Sequence, residues 1–263
     1  AVIGYAPADR PNMTRPFIAR TPADTKKLVF NNSCRMNLTR YLERVKGGER
    51  VGIVVKGCDS RNLVIQIQEN RFERDQVYII GVPCQGMSDK RFLENLQDNC
   101  RTCIQHNPVV YDQLAGPPVS KPDVQNRFAD VEKIDAMTVS EKQAFFADLL
   151  QPCIRCYACR DACPLCYCPT CFVDASEPQW VGKSLAPVDV ITYHLLRGLH
   201  DAGRCTDCGA CEAACPMDIP VRVFTRKTIR DCVAIFRSEA GMTLDQRPPL
   251  EQFLLDDPEA FIR

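Results

Sequence analysis

The stretch Cys153-Ile-Arg-Cys156-Tyr-Ala-Cys159-Arg-Asp-Ala-Cys163-Pro164 decides how this chain folds, because it occurs twice. The second copy begins 52 positions later and reads Cys205-Thr-Asp-Cys208-Gly-Ala-Cys211-Glu-Ala-Ala-Cys215-Pro216. All four cysteines, the proline and two alanines coincide in the two copies. Three thiols, each separated from the next by two residues, let a tight loop surround one metal centre. The fourth lies on the helix that follows and reaches another centre. The repeat therefore indicates two interlocked metal centres.

The spacing of each copy is the C-x2-C-x2-C-x3-C-P run of bacterial two-cluster ferredoxins, whose fourth cysteine ligates the other cluster. It predicts two [4Fe-4S] clusters. The first would be held by Cys153, Cys156, Cys159 and Cys215, and the second by Cys205, Cys208, Cys211 and Cys163. Structural zinc is the alternative, but zinc sites use two pairs of ligands rather than a triplet with a crossed fourth cysteine. The run comes with no nucleophile, base or oxyanion site, so we expect a non-catalytic electron-transfer protein.

Three more cysteines follow the first run directly, at Cys166, Cys168 and Cys171. They offer three ligands for a further metal site, and Cys34 or Cys232 could supply the fourth. The alternative is that they are buried thiols that pack like small apolar residues. The sequence leaves both interpretations open.

A second group of cysteines lies in the N-terminal half of the chain. The pattern predicts a strand at Val51–Val55, a helix capped by Asp59 or Ser60 that runs to about Glu69, and a strand at Val77–Ile80, which together make a parallel βαβ unit. Cys58 and Cys84 follow the two strands, and Cys100 and Cys103 come later. Because ligands bind at the C-terminal ends of parallel strands, these four thiols predict a third [4Fe-4S] cluster, with zinc or free thiols as the alternative.

Two smaller features bear on this third site. Gly57 and Gly81 would let backbone approach closely beside it. His106 could replace one of the thiols, although a lone histidine after such a cysteine pair is more often a hydrogen-bonding residue.

The remaining pattern predicts the other elements of the chain. Residues 1–27 read as an extended arm, and the predicted helices are Leu38–Val45 ended by Gly47 and Gly48, Asp89–Gln97, Asp123–Ile134, Ser140–Leu150 with Ser140 as its N-cap, Pro187–Leu199 and Val221–Phe236. The predicted division is an α/β domain at 1–116, a helical linker at 117–151, a dicluster domain at 152–240 with an insertion at 165–204, and a tail at 241–263. The predicted fold class is an α/β domain with a small parallel sheet followed by an α+β two-cluster ferredoxin-like domain with a helical insertion.

Composition limits the classes of function. The chain has 263 residues, with 33 basic and 33 acidic side chains, so it lacks the excess of cations that nucleic-acid binding needs. Its apolar runs are too short for a transmembrane segment. An odd count of 17 cysteines without a secretory signal argues against a disulfide scaffold and favours metal binding in the cytoplasm.

The chain resembles a known family in its two ferredoxin runs and in two shorter motifs. These motifs are Lys56-Gly-Cys-Asp-Ser-Arg61 and Ile80-Gly-Val-Pro-Cys-Gln-Gly86. From about Cys34 to its C-terminus, the chain resembles the beta subunits of coenzyme F-420-reducing hydrogenase and of formate dehydrogenase, in variants associated with heterodisulfide reductase-type complexes. The resemblance implies an anaerobic assembly in which the subunit passes electrons between a catalytic subunit and other iron–sulfur or flavin subunits.

The resemblance also implies a further cofactor and a second function. Many members bind FAD and reduce the deazaflavin coenzyme, and their flavin site does not use the G-x-G-x-x-G motif, which this chain lacks. The alternative function is therefore a flavin-containing subunit that itself reduces or oxidises a deazaflavin or nicotinamide coenzyme. A zinc-stabilised interaction module is a third hypothesis, from a different class.

Overall fold

A five-stranded sheet forms the N-terminal part of the protein in the computed structural model, which describes residues 1–45, 50–121, 123–251 and 255. The strand order is β2-β1-β3-β4-β5. The strands are β1 (Val2–Pro7), β2 (Thr14–Ala19), β3 (Val51–Val55), β4 (Val77–Gly81) and β5 (Gln113–Leu114). The pairs β1–β3, β3–β4 and β4–β5 are parallel, whereas β1–β2 is antiparallel. The prediction of a purely parallel sheet was therefore wrong, because a hairpin adds one antiparallel edge strand.

The first strands correct the prediction of an extended arm at residues 1–27. Ile3 and Tyr5 are fully buried and belong to the core of the sheet. Asn12 adopts a left-handed conformation in the turn that joins the strands, with φ of 55°. Asparagine tolerates this conformation better than most residues, so the chain can reverse here without glycine. Of the proline and arginine residues that suggested an arm, Arg10 and Pro11 lie in the turn, and Arg15 and Pro16 lie on the more exposed edge strand.

The predicted βαβ unit is confirmed. Strands β3 and β4 pair in parallel, with Val51 opposite Val77. The connecting helix α2 (Gly57–Gln68) begins earlier than predicted, with Lys56 as its N-cap residue. Asp59 still serves the helix start, because its side chain accepts the backbone N–H of Lys56 at 3.2 Å. The C-terminal ends of β3 and β4 thus meet at one edge of the sheet.

The segment predicted as a helix at Asp89–Gln97 is irregular instead. The Asp89 side chain accepts the backbone N–H groups of Arg91 and Phe92, which closes a turn that competes with helix formation. The Arg35 guanidinium binds the carbonyl of Ser88 at 2.6 Å and fixes the segment against the sheet. Only the short helix α3 (Asp98–Arg101) follows. At the predicted helix Leu38–Val45 the structure has a 3-10 helix, Leu38–Arg44.

The C-terminal half is helical. Its helices are α4 (Ala129–Asp135), α5 (Val139–Leu150), α6 (Ala158–Asp161), α7 (Pro187–His200), α8 (Ala210–Ala214) and α9 (Val223–Phe236). Helices α7 and α9 confirm the predictions, but Thr138 rather than Ser140 caps α5. The remaining elements are α1 (Pro22–Thr25) and the 3-10 turns Arg74–Gln76, Phe172–Asp174 and Pro249–Glu251. The predicted helix stop at Gly47 and Gly48 and the tail residues 252–254 and 256–263 lie outside the described residues.

The dicluster segment has its own core, formed where α5, α7 and α9 pack around the cysteine loops. Residues 152–240 are all described, and none of them forms a β-strand. The α+β assignment of this segment was therefore wrong, because the two halves meet through α6 and α8 rather than through a small sheet. Within the described part of the chain, no helix has the length and apolar character needed to cross a membrane.

Candidate metal centres

The two cysteine runs adopt the same backbone path. Arg155 and Asp207, at equivalent positions, both have left-handed conformations, with φ of 49° and 60°. Tyr157 and Gly209, two residues later, also match, with φ of 61° and 73°. The backbone N–H groups of Arg155 and Asp207 each bond to the thiol two residues earlier. The sequence repeat is therefore a structural repeat, in which the loop turns its N–H groups toward sulfur.

The cysteines predicted to hold the first cluster lie together. Cys153, Cys156, Cys159 and Cys215 line one cavity, although Cys215 comes from the second run. Cys159 and Cys215 are buried, whereas Cys156 is exposed. We call these four residues the first set. The first set therefore extends from the protein surface, at Cys156, into the core of the dicluster segment, at Cys159 and Cys215.

The cysteines predicted to hold the second cluster also face one another. Cys211 and Cys208 both interact electrostatically with Cys163, which comes from the first run. Cys205 interacts with Cys208 in the same way. Burial raises the pKa of Cys208 to about 11. We call these four residues, Cys205, Cys208, Cys211 and Cys163, the second set.

The four cysteines predicted near the strand ends line a cavity of their own. Cys58, Cys84, Cys100 and Cys103, which we call the third set, surround it, and Cys208 of the second set lines it too. The backbone N–H of Gly86 bonds to the Cys84 sulfur and that of Met87 to the Cys100 sulfur, both at 3.3 Å. Burial raises the pKa of Cys100 to about 11.

Close backbone packing at the third set explains Gly57. A Cβ atom there would lie 2.0 Å from the carbonyl oxygen of Gln105, so only glycine fits. This confirms the predicted close approach. At Gly81 the neighbours are side-chain atoms of Pro108 and Tyr111 instead. His106 lines the same cavity, and its Nδ1 has no hydrogen-bond partner among the described residues.

The distances between the thiols bear on the kind of metal group that each set could hold. Among the described residues, only one group of three possible metal-binding side chains has all its ligand atoms within 4.8 Å of one another. It consists of Cys163, Cys166 and Asp201. A tetrahedral zinc ion with bonds of about 2.3 Å holds its sulfur ligands roughly 3.8 Å apart. None of the three sets is that compact, so their thiols are not arranged for a single zinc ion. Buried thiols with raised pKa values need a strong positive charge to become thiolates, and either iron or zinc supplies it.

The remaining predicted cysteines are not seen together. Cys166 lies beside Cys163 and Asp201, Cys168 is exposed, and Cys171 packs against the core around α7. Cys34 is buried beside Asn31 under the sheet, and Cys232 is half-buried on α9. A fourth site at Cys166, Cys168 and Cys171 stays a prediction.

Buried cations beside the thiols are the functional residues that sequence reasoning missed. Lys56, on the rim of the third cavity, is 3% exposed and forms an ion pair of 2.8 Å with Asp59. Burial alone would lower the pKa of Lys56, but Asp59 and Tyr5 raise it above the usual value. The sequence feature that could have drawn attention to Lys56 is its position, directly after a buried strand and two residues before a cysteine.

Helix α7 contributes three more side chains that the sequence analysis did not single out. The Nε2 atom of His194 lies 3.4 Å from the Cys153 sulfur, and the Tyr193 hydroxyl lies 3.8 Å from the Cys159 sulfur. Arg197 donates to the Cys159 carbonyl at 3.2 Å. The spacing of these residues along one buried face was the signal, since buried polar residues on an otherwise apolar stripe are unusual.

Comparison with known proteins agrees with this geometry. Residues 152–220 match the family described as "4Fe-4S dicluster domain". Residues 152–220 are therefore similar to dicluster iron–sulfur segments, as the repeated loops indicate.

Two relatives give a more particular identification. The chain is 40% identical over 79 residues to the F420-dependent formate dehydrogenase subunit beta of Methanocaldococcus jannaschii, which is 30% of this chain and 20% of the relative. It is 45% identical over 73 residues to the F420-dependent formate dehydrogenase 1 subunit beta of Methanococcus maripaludis, which is 27% of this chain and 18% of the relative. The chain thus spans about a fifth of the length of these curated relatives. The predicted relationship to the formate dehydrogenase beta subunits is confirmed over these segments.

Proposed function

We propose that this chain is an electron-transfer subunit of a multi-subunit oxidoreductase of the formate dehydrogenase type. The thiols of the first and second sets would each hold one [4Fe-4S] cluster and exchange their last ligands, Cys215 and Cys163. The third set, at the strand ends, would hold another. Each cluster, when bound, supplies a centre that accepts and returns a single electron.

One observation supports this function most directly: Cys208 of the second set also lines the cavity of the third set. The first and second sets are interlocked by their crossed cysteines. The second set therefore lies between the other two, and the three form a continuous series through the protein. A series of neighbouring one-electron sites suits electron transfer between partners.

The chain's own residues prepare the three sets for this role. Backbone N–H groups donate to cysteine sulfurs in each set, which stabilises thiolates. Apolar side chains around the first set and the sheet core exclude water from the thiols. Cys156 is exposed at the outer edge of the first set, where a partner subunit could exchange electrons with it.

The partners and the compartment belong to the same proposal. Both relatives are named as beta subunits, which supports partner subunits that are catalytic or that carry further iron–sulfur or flavin groups. All 17 cysteines are free, which supports a reducing compartment such as the cytoplasm. FAD binding, the alternative role as a flavin-containing subunit, and the association with hydrogenase or heterodisulfide reductase-type complexes stay predictions.

The iron content and the fate of the third set test the proposal. Full-length protein prepared without oxygen should contain about 12 iron atoms per chain. Cys58→Ala and Cys84→Ala should each remove the same EPR signal and about four irons, because both thiols belong to one set. Ser140→Ala, at an exposed position of α5 outside the three sets, is the control and should keep all the iron. Zinc in place of iron, or different signals lost in the two variants, would contradict the proposal.

The crossed ligands are tested separately. Cys163→Ala should disturb the EPR signal that Cys205→Ala disturbs, although Cys163 lies in the first run. Cys215→Ala should likewise act on the signal of Cys153. If each cysteine instead affects the signal of its own run, the two sets are not interlocked.

A further inference from the structure

Helix α7 lies between the two cysteine runs in sequence and inside the dicluster core in space. Val190, Tyr193, His194 and Arg197 are all buried and follow the 3.6-residue period of one helix face. The helix is held close to α9, because a Cβ atom at Gly198 would lie 3.0 Å from the carbonyl oxygen of Phe224. This packing fixes the buried face of α7 against the cysteine sets.

Arg197 is a buried cation with few partners. Its side chain is 7% exposed, and among the described residues its hydrogen bond runs from a terminal nitrogen to the Cys159 carbonyl at 3.2 Å. Its Nε has no hydrogen-bond partner among the described residues. The Asp201 carboxylate is 3.9 Å away, beyond hydrogen-bond distance. Lys56, by contrast, is paired with Asp59 at 2.8 Å. A buried charge with so little compensation is costly unless another anion stabilises it.

Thiols of both ferredoxin sets face this cation. Arg197 donates to the carbonyl of Cys159 in the first set at 3.2 Å. On its other side, the Asp201 carboxylate lies 3.9 Å from the guanidinium and 4.0 Å from the Cys163 sulfur of the second set. A set of four thiolates around a [4Fe-4S] cluster is negatively charged, and more so after it accepts an electron. The guanidinium therefore finds its missing anions when the two sets are loaded.

We propose that Arg197 sets the reduction potentials of the first and second sets together, as one positive charge shared by both. The proposal rests on the [4Fe-4S] assignment above. A cation stabilises the more negative, reduced state of each set, so it raises both potentials. Arg197 is a positioning residue, because it acts through the cysteine thiols.

The test is an EPR-monitored redox titration of the full chain, prepared without oxygen. Arg197→Gln and Arg197→Met should shift the midpoint potentials of both ferredoxin sets to more negative values. Arg197→Lys, which keeps the charge, should remain near the wild type. The signal of the third set is the internal reference, and Arg230→Gln on α9, whose side chain pairs with Asp135 and Asp231, is the control.

Several outcomes would overturn the proposal. One is that the neutral variants bind their iron but leave both potentials unchanged, and another is that only one potential moves. A third is that both neutral variants lose their clusters while Arg197→Lys keeps them, which would assign Arg197 a purely structural role. The magnetic coupling between the two reduced sets reports their separation and should not change. Iron content is measured first in the wild type, so that a failure of the proposed function is seen as missing iron and not as an unshifted potential.

Discussion

Single residues around the first set determine how its thiols are stabilised. Burial, with Arg197 and Arg155 nearby, lowers the pKa of His194 to about 4, so its imidazole is neutral at pH 7. A neutral imidazole has one N–H group, and a cysteine thiolate can only accept a hydrogen bond. His194 therefore donates from Nε2 to the Cys153 sulfur across 3.4 Å. This contact reaches one set alone, unlike the charge of Arg197.

We expect His194→Phe to lower the potential of the first set and to leave the second set unchanged. The ring is kept, but the N–H donor that stabilises the reduced thiolate is lost, at about 1 kcal/mol or on the order of 50 mV for one electron. An EPR-monitored redox titration measures both potentials. His200→Phe, at the exposed end of the same helix, is the control, because His200 packs on the Phe172 ring instead. Equal shifts of the two reduction potentials would show that the hydrogen bond from His194 to Cys153 is not the cause of the change.

At the scale of elements, the sequence correctly predicted the helices and strands that have a regular pattern of apolar residues. β3, β4, α7 and α9 bury one face or a continuous apolar run, so pattern alone located them. β1 and β2 were missed because the chain reverses at Asn12, where a left-handed asparagine takes the place of the usual glycine signal. The false helix at Asp89–Gln97 failed for a tertiary reason, since Arg35 from a distant segment holds its carbonyls.

The candidate site shows the same division between local and distant causes. The first two sets followed from spacing, because each loop of three cysteines is local in sequence. The third set followed from the rule that parallel strands end at one edge, which placed Cys58 and Cys84 together. Arg197 and His194 were not predicted, because their spacing marks them only as polar residues on one face of α7 and does not say that this face meets the thiols. That information exists only after α7 has packed against α9.

The start of α2 depends on one buried ion pair. The Lys56 ammonium donates to Asp59 at 2.8 Å and to the Met36 carbonyl at 3.1 Å, and it also bonds to the Tyr5 hydroxyl. We expect Lys56→Met to lower the free energy of unfolding by about 3–5 kcal/mol, because it leaves the buried Asp59 carboxylate without its partner. Urea unfolding of the cluster-loaded protein measures the change.

The double variant Lys56→Met/Asp59→Asn separates charge from packing. Asparagine removes the unpaired charge but can still accept the backbone N–H at position 56. The double variant should therefore be more stable than Lys56→Met alone. A double variant that is less stable would mean that the ion pair is not the source of the loss.

At the scale of the whole molecule, the sheet and the dicluster segment are joined by buried polar contacts. Arg61 of α2 binds Glu239, which follows α9, at 2.6 Å, and Arg127 binds the same carboxylate at 2.7 Å. Asn99 donates to the Cys208 carbonyl at 3.0 Å, so the third set is tied directly to the second. The division into 1–116, 117–151, 152–240 and 241–263 stays a prediction, but these contacts predict that the parts unfold together.

Glu239 allows this coupling to be measured through its pH dependence. Burial would raise the pKa of Glu239, but the hydrogen bond from Arg127 and the charge of Arg61 bring it below its usual value. A carboxylate with a lowered folded-state pKa contributes stability above its unfolded pKa, near 4.5, and loses it as the pH falls through the folded value.

At pH 7 we therefore expect Glu239→Gln to cost about 2–3 kcal/mol. The difference from wild type, followed by urea unfolding, should shrink steadily below about pH 4.5. Glu43→Gln removes an exposed ion pair with Arg71 and should cost less than about 1 kcal/mol at every pH. A Glu239→Gln penalty that persists unchanged at pH 4 would show that packing, and not the shared carboxylate, joins the two parts of the molecule.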